Sequence, residues 1–501
     1  MSQVGGSRLL LGAPDGLPGD DALRLLDSTG ASGLLLFRRN LAEAERMGEA
    51  LRRIRSRLGR PFLVAIDHEG GQVLRHLAPA TVFPGNRALG LVAERATVTQ
   101  AVELARQTGC VMGRELSAME VRWNLAPVLD VIAEHPSPAL LLRSFGREPS
   151  GVGLLGAAFA RGLEEGGALG CAKHFPGLGA ARVDPHHELA RVEMVEDEFR
   201  RRHLAAFRGS EVRAIPAYMT SHVVLPAFDD VVPVTFSRNI VHGLLREELG
   251  YEGVCVSDDL EMGAIVRGWG IPEAAVRAAA AGHDLMIVGH RAPEIGLEVA
   301  ETLDQAVVSG RLDAVEHEAS QARVAKLVAR ADVGGGAVGA VSEESLVGRE
   351  VAARTARGAA HVVRDPGGRL PLGPDRRLRI LLPDVRPLAD WLLLEPAWFE
   401  PARLARLFAG ERPHRVVSIP LAGDLPALPP PAAEEQDLLV AFDASTHAAQ
   451  RAILARSPEA IVILARNFWD LEHCPASSTV LDAGGFRLSQ VDALAALLGS
   501  C

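Results

Sequence analysis

Two segments of the chain concentrate side chains that can carry out acid–base and nucleophilic chemistry. The first reads K-H-F-P-G-L-G-A-A-R-V-D-P-H-H-E over residues 173–188 and places a lysine, several histidines and an aspartate in one loop. The second reads V-S-D-D-L-E-M over residues 256–262 and places two adjacent carboxylates at the end of an apolar run. Together they predict an acid/base group and a nucleophile that face one sugar-sized pocket.

The D-P-H sequence that begins at Asp184 is a candidate acid/base dyad. Proline disfavours the helical conformation for the residue before it, and side chains i and i+2 of an extended chain point to one side. Asp184 can then accept a hydrogen bond from one ring nitrogen of His186, which leaves the other nitrogen for proton transfer. A surface Asp-Pro turn is the alternative. A metal site at His186, His187 and Glu188 is disfavoured, because adjacent residues do not easily converge on one ion.

Asp258 and Asp259 follow a strand-like run, so their side chains point to opposite sides. Only one of them can readily face a pocket, where a carboxylate can attack an anomeric carbon or stabilise an oxocarbenium-like transition state. The competing role is an N-cap of the following helix, and it suits Asp259 best. We therefore assign the nucleophile to Asp258.

Lysine is rare in this chain. Of the 53 basic residues, only Lys173 and Lys326 are lysine. Lys173 lies beside His174 in a Gly/Pro-rich loop, which indicates that a compact ammonium is needed there rather than a guanidinium. The alternative is that Lys173 is a chance survivor of an Arg-biased composition.

Short apolar runs alternate with segments of helical periodicity up to about residue 330. The predicted strands are 9–11, 33–37, 62–67, 122–129, 169–174, 215–222, 253–258 and 284–288. The predicted helices include 41–58, 96–119, 151–165 and 272–281. This repetition fits a (β/α)8 barrel better than an open sheet. Reacting groups of such barrels follow the carboxyl ends of strands, and four polar clusters do so here: Asp67-His68-Glu69, Lys173-His174, Ser221-His222 and Asp258-Asp259.

A second region follows the predicted barrel. Residues 332–345 read D-V-G-G-G-A-V-G-A-V-S-E-E-S, which is typical of a linker, and the missing Lys-Ser/Thr argues against a phosphate loop. Apolar runs at 378–383, 416–421, 438–442 and 460–465 then alternate with helical segments. We therefore predict a catalytic barrel over 1–331, a Gly-rich linker over 332–345 and a smaller C-terminal α/β domain of open role over 346–501.

The composition of the chain argues against several classes of protein. The formal charge of −10 and the absence of a basic stripe disfavour nucleic-acid binding. Five scattered cysteines without a C-x-x-C pair indicate neither a zinc knuckle nor a disulfide framework. The N-terminal residues lack the features of a signal peptide, and no apolar run reaches 18 residues, so we expect a cytoplasmic protein without membrane contact.

The barrel region resembles glycoside hydrolase family 3, and specifically its β-N-acetylglucosaminidase branch. The motifs that carry the resemblance occur in the family's order: A-I-D-H-E-G-G-Q-V-L-R (65–75), N-L-A-P-V-L-D (124–130), R-S-F-G (143–146), K-H-F-P-G (173–177), D-P-H-H (184–187), M-T-S-H (219–222) and S-D-D-L-E-M (257–262). K-H-F-P-G followed by D-x-H marks the branch, and S-D-D-L marks the family. The resemblance implies a retaining mechanism through a covalent glycosyl-enzyme.

The resemblance also implies roles for individual residues. Asp258 is the implied nucleophile, and His186 is the implied general acid/base with Asp184 as its orienting partner. Five residues are implied to hold the hydroxyls and the N-acetyl sugar in the subsite of the cleaved sugar: Asp67, Arg75, Arg143, Lys173 and His174. Arg and Asp can make bidentate hydrogen bonds to neighbouring hydroxyls.

The chain departs from the family at a few positions. Leu178 and Ala180 stand where the family often has histidine and a polar residue, which concerns the aglycone rather than the chemistry. Pro185 stands between the two dyad members, Asp184 and His186, where the family usually has a small residue. The C-terminal segments 361–372 and 463–471 are similar to the second domain of longer members. In related glucosidases that domain can supply the acid/base, which the dyad makes unnecessary here.

The predicted function is an exo-acting β-N-acetylglucosaminidase that removes a non-reducing GlcNAc from cell-wall muropeptides or chitin fragments. A phosphorylase on the same scaffold stays open, because a neutral His186 would not repel phosphate. A non-catalytic sugar-binding protein would lack Asp258 or the acid/base, and both are present. A β-glucosidase is disfavoured by K-H-F-P-G with D-x-H. No metal or organic cofactor is expected, since two protein groups suffice for the reaction. The oligomeric state is left open.

Overall fold

The computed structural model describes residues 5–77, 80–133, 140–181, 189–333, 341–389, 392–421, 428 and 430–499. The chain divides into two compact units. The first comprises Met1–Glu69, Ala105–Leu140 and Ser144–Ser345. The second comprises Gly70–Leu104, Leu141–Arg143 and Leu346–Cys501.

Up to residue 333, strands alternate with helices. The strands are β1 (Leu9–Gly12), β2 (Gly33–Leu36), β3 (Leu63–Ile66), β4 (Trp123–Asn124), β5 (Cys171–Phe175), β6 (Ala190–Arg191), β7 (Ala217–Thr220), β8 (Val223–Val224), β9 (Val254–Asp259) and β10 (Leu285–Val288). The helices are α1 (Asp20–Thr29), α2 (Met47–Leu58), α3 (Asn86–Arg95), α4 (Val98–Ala118), α5 (Pro149–Glu165), α6 (Glu196–Arg202), α7 (Ser210–Arg213), α8 (Gly263–Trp269), α9 (Ile271–Ala281), α10 (Ala292–Val308) and α11 (Ala314–Val333). Asn239–Glu248 is a π-helix.

The first unit is a parallel β-barrel. Eight strands pair in the order β4-β3-β2-β1-β10-β9-β7-β5. Trp123 in β4 pairs with Leu169, and Val128, which follows β4, pairs with Lys173 in β5. These two bridges connect the first and last strands of the sheet and close the barrel. The strands are continuous apolar runs because a parallel barrel buries both of their faces. The predicted (β/α)8 barrel is therefore confirmed.

Side chains from the barrel strands fill its interior, including Leu10, Leu35, Leu63 and Trp123. Helix α11 contributes Val324, Leu327, Val328 and Ala331 to the same apolar cluster. Helices α1 and α2 end at Gly30 and Gly59, whose φ angles of 69° and 70° lie in the left-handed region that glycine adopts at little cost. The helices therefore stop where the next strand must begin.

The second unit contains a mixed sheet. Its strands are β11 (His361–Arg364), β12 (Arg377–Pro383), β13 (His414–Ile419), β14 (Glu435–Ala441), β15 (Ile461–Leu464) and β16 (Thr479–Asp482). They pair in the order β11-β16-β15-β14-β12-β13, and only the pairing of β11 with β16 is antiparallel among the described strands of this sheet. The helices are α12 (Val341–Ala359), α13 (Pro401–Ala409), α14 (Ala448–Arg456) and α15 (Leu488–Leu497).

Both faces of this second sheet are covered. Ile380, Leu438 and Ile463 face one apolar cluster, to which Leu141 and Leu142 also belong. Leu381, Leu439 and Val462 alternate with them and face the other cluster. The second unit is thus the smaller α/β layer structure that the sequence predicts.

The compact units group two segments differently from the predicted contiguous domains. Residues 70–104 and 141–143 come from the predicted barrel region but belong to the second unit. Helix α12 begins at Val341, inside the predicted linker 332–345. The predicted domain limits themselves stay a prediction. In the ranges that the structure describes, no helix is both long and apolar enough to cross a membrane.

Candidate active site

Lys173 lies between two carboxylates. Its Nζ is 2.7 Å from Asp67 Oδ1 and 2.7 Å from Glu69 Oε1. Lys173 belongs to β5, and the two acids follow β3, so the barrel register brings them together. The side chains of Lys173 and Glu69 are 2% and 1% exposed, whereas that of Asp67 is 21% exposed. Asp67 is therefore the member of this trio that can reach a ligand.

His174 is oriented by Asp130. Its Nδ1 donates to Asp130 Oδ2 at 2.6 Å, and the same carboxylate accepts the backbone N–H groups of His174 and Leu178 at 3.3 and 2.6 Å. Asp130 and His174 are both buried. Because the hydrogen bond to Asp130 places a proton on Nδ1, a neutral His174 presents Nε2 as an acceptor, which suits a sugar hydroxyl.

The two carboxylates at the end of β9 have different partners. Asp258 Oδ1 accepts the backbone N–H of Asp259 at 2.8 Å. Asp259 Oδ1 accepts the backbone N–H groups of Glu261 and Gly289 at 3.0 and 3.2 Å. Met262, rather than Asp259, precedes α8, so the N-cap role considered for Asp259 is wrong. Asp258 remains the candidate nucleophile.

These groups converge at one end of the barrel. Carboxyl ends of parallel barrel strands meet at the same mouth, and β3, β5 and β9 deliver Asp67, Lys173 and Asp258 there. Burial raises the pKa of the Cys171 thiol well above its usual range, and the charges of Lys173, Asp67 and Asp258 also act on it. All three charged groups are therefore near the same interior position of β5.

Four of the predicted site residues are not among the groups described above. Asp184 and His186 lie in 182–188, outside the described residues. Arg75 and Arg143 belong to the second compact unit, where the Arg143 carbonyl accepts a hydrogen bond from Asn86 Nδ2 at 2.6 Å. Their contact with a sugar stays a prediction. No cluster of three or more His, Cys, Asp or Glu that could hold a metal ion occurs in the described part of the chain.

Two members of the site were not assigned roles from the sequence. Asp130 closes the motif N-L-A-P-V-L-D, and Glu69 is the third polar residue after β3. The sequence does contain a signal for both residues, because each is a polar residue that follows an apolar, strand-like segment. Their pairing with His174 and Lys173 depends on contacts across more than 40 residues of sequence, which spacing alone does not specify.

The free energy of unfolding is expected to fall as the pH rises from about 4 to 7, owing to Asp259. Burial raises the pKa of Asp259 to about 7 from its ordinary 3.8. Between these two pKa values the folded protein keeps the Asp259 proton, whereas the unfolded chain releases it. The free energy of unfolding therefore falls as the pH rises through this range and stays constant above it. Asp259→Asn should remove a contribution on the order of 4 kcal/mol. Urea unfolding of both proteins between pH 4.5 and 8 measures it, and parallel pH profiles would contradict the assignment.

Comparison with known proteins agrees with this geometry. The model of the glycosyl hydrolase family 3 N terminal domain matches residues 11–327. A β-hexosaminidase from Neisseria meningitidis serogroup A is 33% identical over 337 residues, which cover 63% of this chain and 92% of that protein.

Solved structures extend the similarity. A family 3 β-N-acetylglucosaminidase from Paenibacillus sp. str. FPU-7 has a TM-score of 0.88 at 30% identity and covers 100% of this chain and 97% of its own. NagZ from Neisseria gonorrhoeae in complex with N-trifluoroacetyl-D-glucosamine has a TM-score of 0.54 at 29% identity and covers 64% of this chain and 97% of its own.

Proposed function

Because the chain belongs to glycosyl hydrolase family 3, we propose that it is a retaining, exo-acting β-N-acetylglucosaminidase. The chain is a glycoside hydrolase similar to β-hexosaminidases. The observation that carries the proposal is the trio of Lys173, Asp67 and Glu69 at the barrel mouth that also holds Asp258. We infer that its substrates are muropeptides or chitooligosaccharides with a non-reducing terminal GlcNAc.

The first chemical step forms a glycosyl-enzyme. The Asp258 carboxylate attacks the anomeric carbon while the bond from that carbon to the aglycone oxygen breaks. His186, in its protonated form, gives its proton to the departing oxygen, and Asp184 stabilises the charged imidazole beforehand. The aglycone leaves as a neutral alcohol, and Asp258 carries the sugar as an ester.

The second step releases the sugar. The now neutral His186 takes a proton from water as the water oxygen attacks the anomeric carbon. The ester bond breaks, Asp258 regains its negative charge, and two inversions leave the product with the original β configuration. Histidine suits both steps because its ordinary pKa is close to neutral pH.

Sugar recognition involves groups with different charges. The partly exposed Asp67 can accept hydrogen bonds from hydroxyls, while Lys173 holds that carboxylate in place. His174 Nε2 can accept from another hydroxyl, since Asp130 fixes the opposite side of the ring. Arg75 and Arg143 are proposed to complete the subsite by donating to the N-acetyl sugar.

Nitrophenyl β-N-acetylglucosaminide should be hydrolysed much faster than nitrophenyl β-glucoside. The expected product is free GlcNAc, identified by mass spectrometry, with the same rate in the absence and presence of millimolar phosphate. GlcNAc-1-phosphate formed at a higher rate with phosphate would instead make the protein a phosphorylase. No release from either glycoside would contradict a GlcNAc-specific enzyme and favour a sugar-binding protein.

A further inference from the structure

His222 is a buried histidine that follows Ser221 just after the end of β7, the barrel strand adjacent to β9. Its Nε2 is 2.9 Å from the backbone carbonyl oxygen of Asp259, and its Nδ1 is 2.6 Å from Thr235 Oγ1. Thr235 is itself fully buried. Both ring nitrogens are thus bonded inside the protein, and one of them reaches the residue after the proposed nucleophile.

The partners of His222 fix its tautomer. A carbonyl oxygen can only accept, so Nε2 carries the proton and donates it to Asp259. In the neutral ring, Nδ1 then accepts from the Thr235 hydroxyl at 2.6 Å, the shorter of the two contacts of this hydroxyl, since the Ser221 carbonyl oxygen is 3.3 Å away. Thr235 therefore orients the ring, and the ring delivers an N–H to the main chain at the end of β9.

The bond to Asp259 bears on Asp258 through the main chain. The backbone N–H of Asp259 donates to Asp258 Oδ1 at 2.8 Å. The direction of that N–H depends on the main-chain conformation of Asp259, whose carbonyl accepts from His222 and from the Met262 N–H at 3.0 Å. The carbonyl and the N–H of Asp259 are linked through its φ and ψ angles, so holding this carbonyl restrains the donor that orients the Asp258 carboxylate.

The other bonds that hold this turn come from nearby main chain. Leu260 donates its N–H to the Ile287 carbonyl at 3.0 Å, and the Asp259 side chain accepts from Glu261 and Gly289. The ring of His222 adds a side-chain donor that comes from a different part of the barrel, the segment after β7. A carboxylate that must attack along one line requires such support, because small misplacements of a reacting group lower the rate strongly.

We propose that His222 is a positioning residue for the Asp258 nucleophile and acts by donating from Nε2 to the Asp259 carbonyl. The proposal rests on the proposed function, in which Asp258 forms the glycosyl-enzyme. His222 does not itself exchange a proton with the substrate. It sets the orientation of the carboxylate, and its loss should slow the formation of the covalent intermediate.

Two replacements separate the contacts of the ring. In glutamine, Nε2 is as many bonds from Cβ as the histidine Nε2, so His222→Gln can still donate to Asp259. In asparagine, Oδ1 is as many bonds from Cβ as the histidine Nδ1, so His222→Asn can still accept from Thr235 but cannot reach Asp259. We expect His222→Asn to lower kcat about 10–100-fold with KM within about threefold, and His222→Gln to stay within about threefold of wild type.

The direct readout is the rate of covalent labelling. A 5-fluoro N-acetylglucosaminyl fluoride forms a slowly hydrolysed glycosyl-enzyme, and intact-protein mass spectrometry follows its appearance. Labelling should be slow in His222→Asn and nearly normal in His222→Gln. Equal behaviour of the two variants, or a slower His222→Gln, would overturn the proposal. If His222→Asn does not fold, a folded but inactive His222→Gln still overturns it.

Thr235→Val is the control for the other side of the ring. It keeps the shape of the side chain and leaves the Nε2 donor, but it removes the hydrogen bond that orients the ring, so kcat should fall by less than in His222→Asn. A loss as large as that of His222→Asn would contradict the role of Nε2. Normal turnover by Asp258→Asn would refute the proposed nucleophile itself, which is a different failure from any ordering of the His222 variants.

Discussion

Asp258→Ala should lower kcat on nitrophenyl β-N-acetylglucosaminide by on the order of 10⁴-fold or more while the barrel stays folded. The reaction loses the group that forms the covalent bond. The Asp258 carboxylate is half-buried and accepts the backbone N–H of Asp259, and the substitution leaves this main chain in place, so the barrel should stay folded. Steady-state kinetics and a thermal unfolding curve measure the two parts of this expectation.

Added azide should partly restore turnover of the Asp258→Ala protein. Removal of the carboxylate group leaves space for a small anion on the face of the sugar that the nucleophile attacks. An azide nitrogen forms the new bond to the anomeric carbon as nitrophenolate departs, and one inversion gives the α-glycosyl azide. NMR of the product distinguishes it from the β-azide, which would require a surviving covalent intermediate.

The adjacent carboxylate provides a matched control. Asp259→Asn keeps an oxygen that can accept from Glu261 and Gly289, so it should lose no more than about tenfold in kcat. Residual activity of Asp258→Ala above that of Asp259→Asn would remove Asp258 as the nucleophile. If azide does not change the rate of a normally folded Asp258→Ala protein, this would favour a different residue as the nucleophile.

The barrel could be predicted because its strands carry a strong local signal. Runs such as L-L-L-G and L-V-A-I are buried on both faces and bounded by glycine or polar residues, so apolar content alone locates them. Strand β16 was missed, because T-V-L-D is short and contains two polar residues. Helix α2 begins at Met47, later than the predicted residue 41, since the preceding residues include short 3₁₀ turns.

For the candidate site too, the sequence predicts some features and not others. The sequence predicts Asp67, Lys173 and Asp258 at strand ends. Asp67 does follow β3 and Asp258 lies near the end of β9, whereas Lys173 lies in the middle of β5. It does not specify that Glu69 shares the ammonium of Lys173 or that Asp130 holds His174. Those pairings depend on side-chain direction and on strand register. The grouping of residues 70–104 with the C-terminal part depends on packing between distant segments, for which the chain has no local signal.

Lys173→Ala should be the most destabilising single change at the site. It leaves Asp67 and Glu69 without their shared ammonium, and Glu69 is almost fully buried. Removing one partner of a buried ion pair costs about 3–5 kcal/mol, because the remaining charge has lost its compensation. Urea unfolding should show this loss, and kcat/KM on the nitrophenyl substrate should fall at least about 100-fold, since Asp67 also loses its support.

Adding Glu69→Gln to Lys173→Ala separates stability from activity. The double variant no longer carries the buried Glu69 charge that has lost the Lys173 ammonium, so part of the lost unfolding free energy should return. Activity should not return, because Asp67 still lacks the ammonium that holds it towards the sugar. Recovery of both quantities together would mean that Lys173 acts only on stability.

Lys173→Arg tests whether the site needs a compact charge. The ammonium contacts two carboxylates at 2.7 Å with only 2% of its side chain exposed, and a planar guanidinium is larger and directs its donors differently. We expect kcat/KM to fall about 10–100-fold although the charge is conserved. Lys326→Arg is the matched control, because Lys326 is the other lysine of the chain and is exposed on α11. If both replacements leave the kinetics unchanged, the ammonium at Lys173 has no special role, and the rarity of lysine in this chain reflects composition alone.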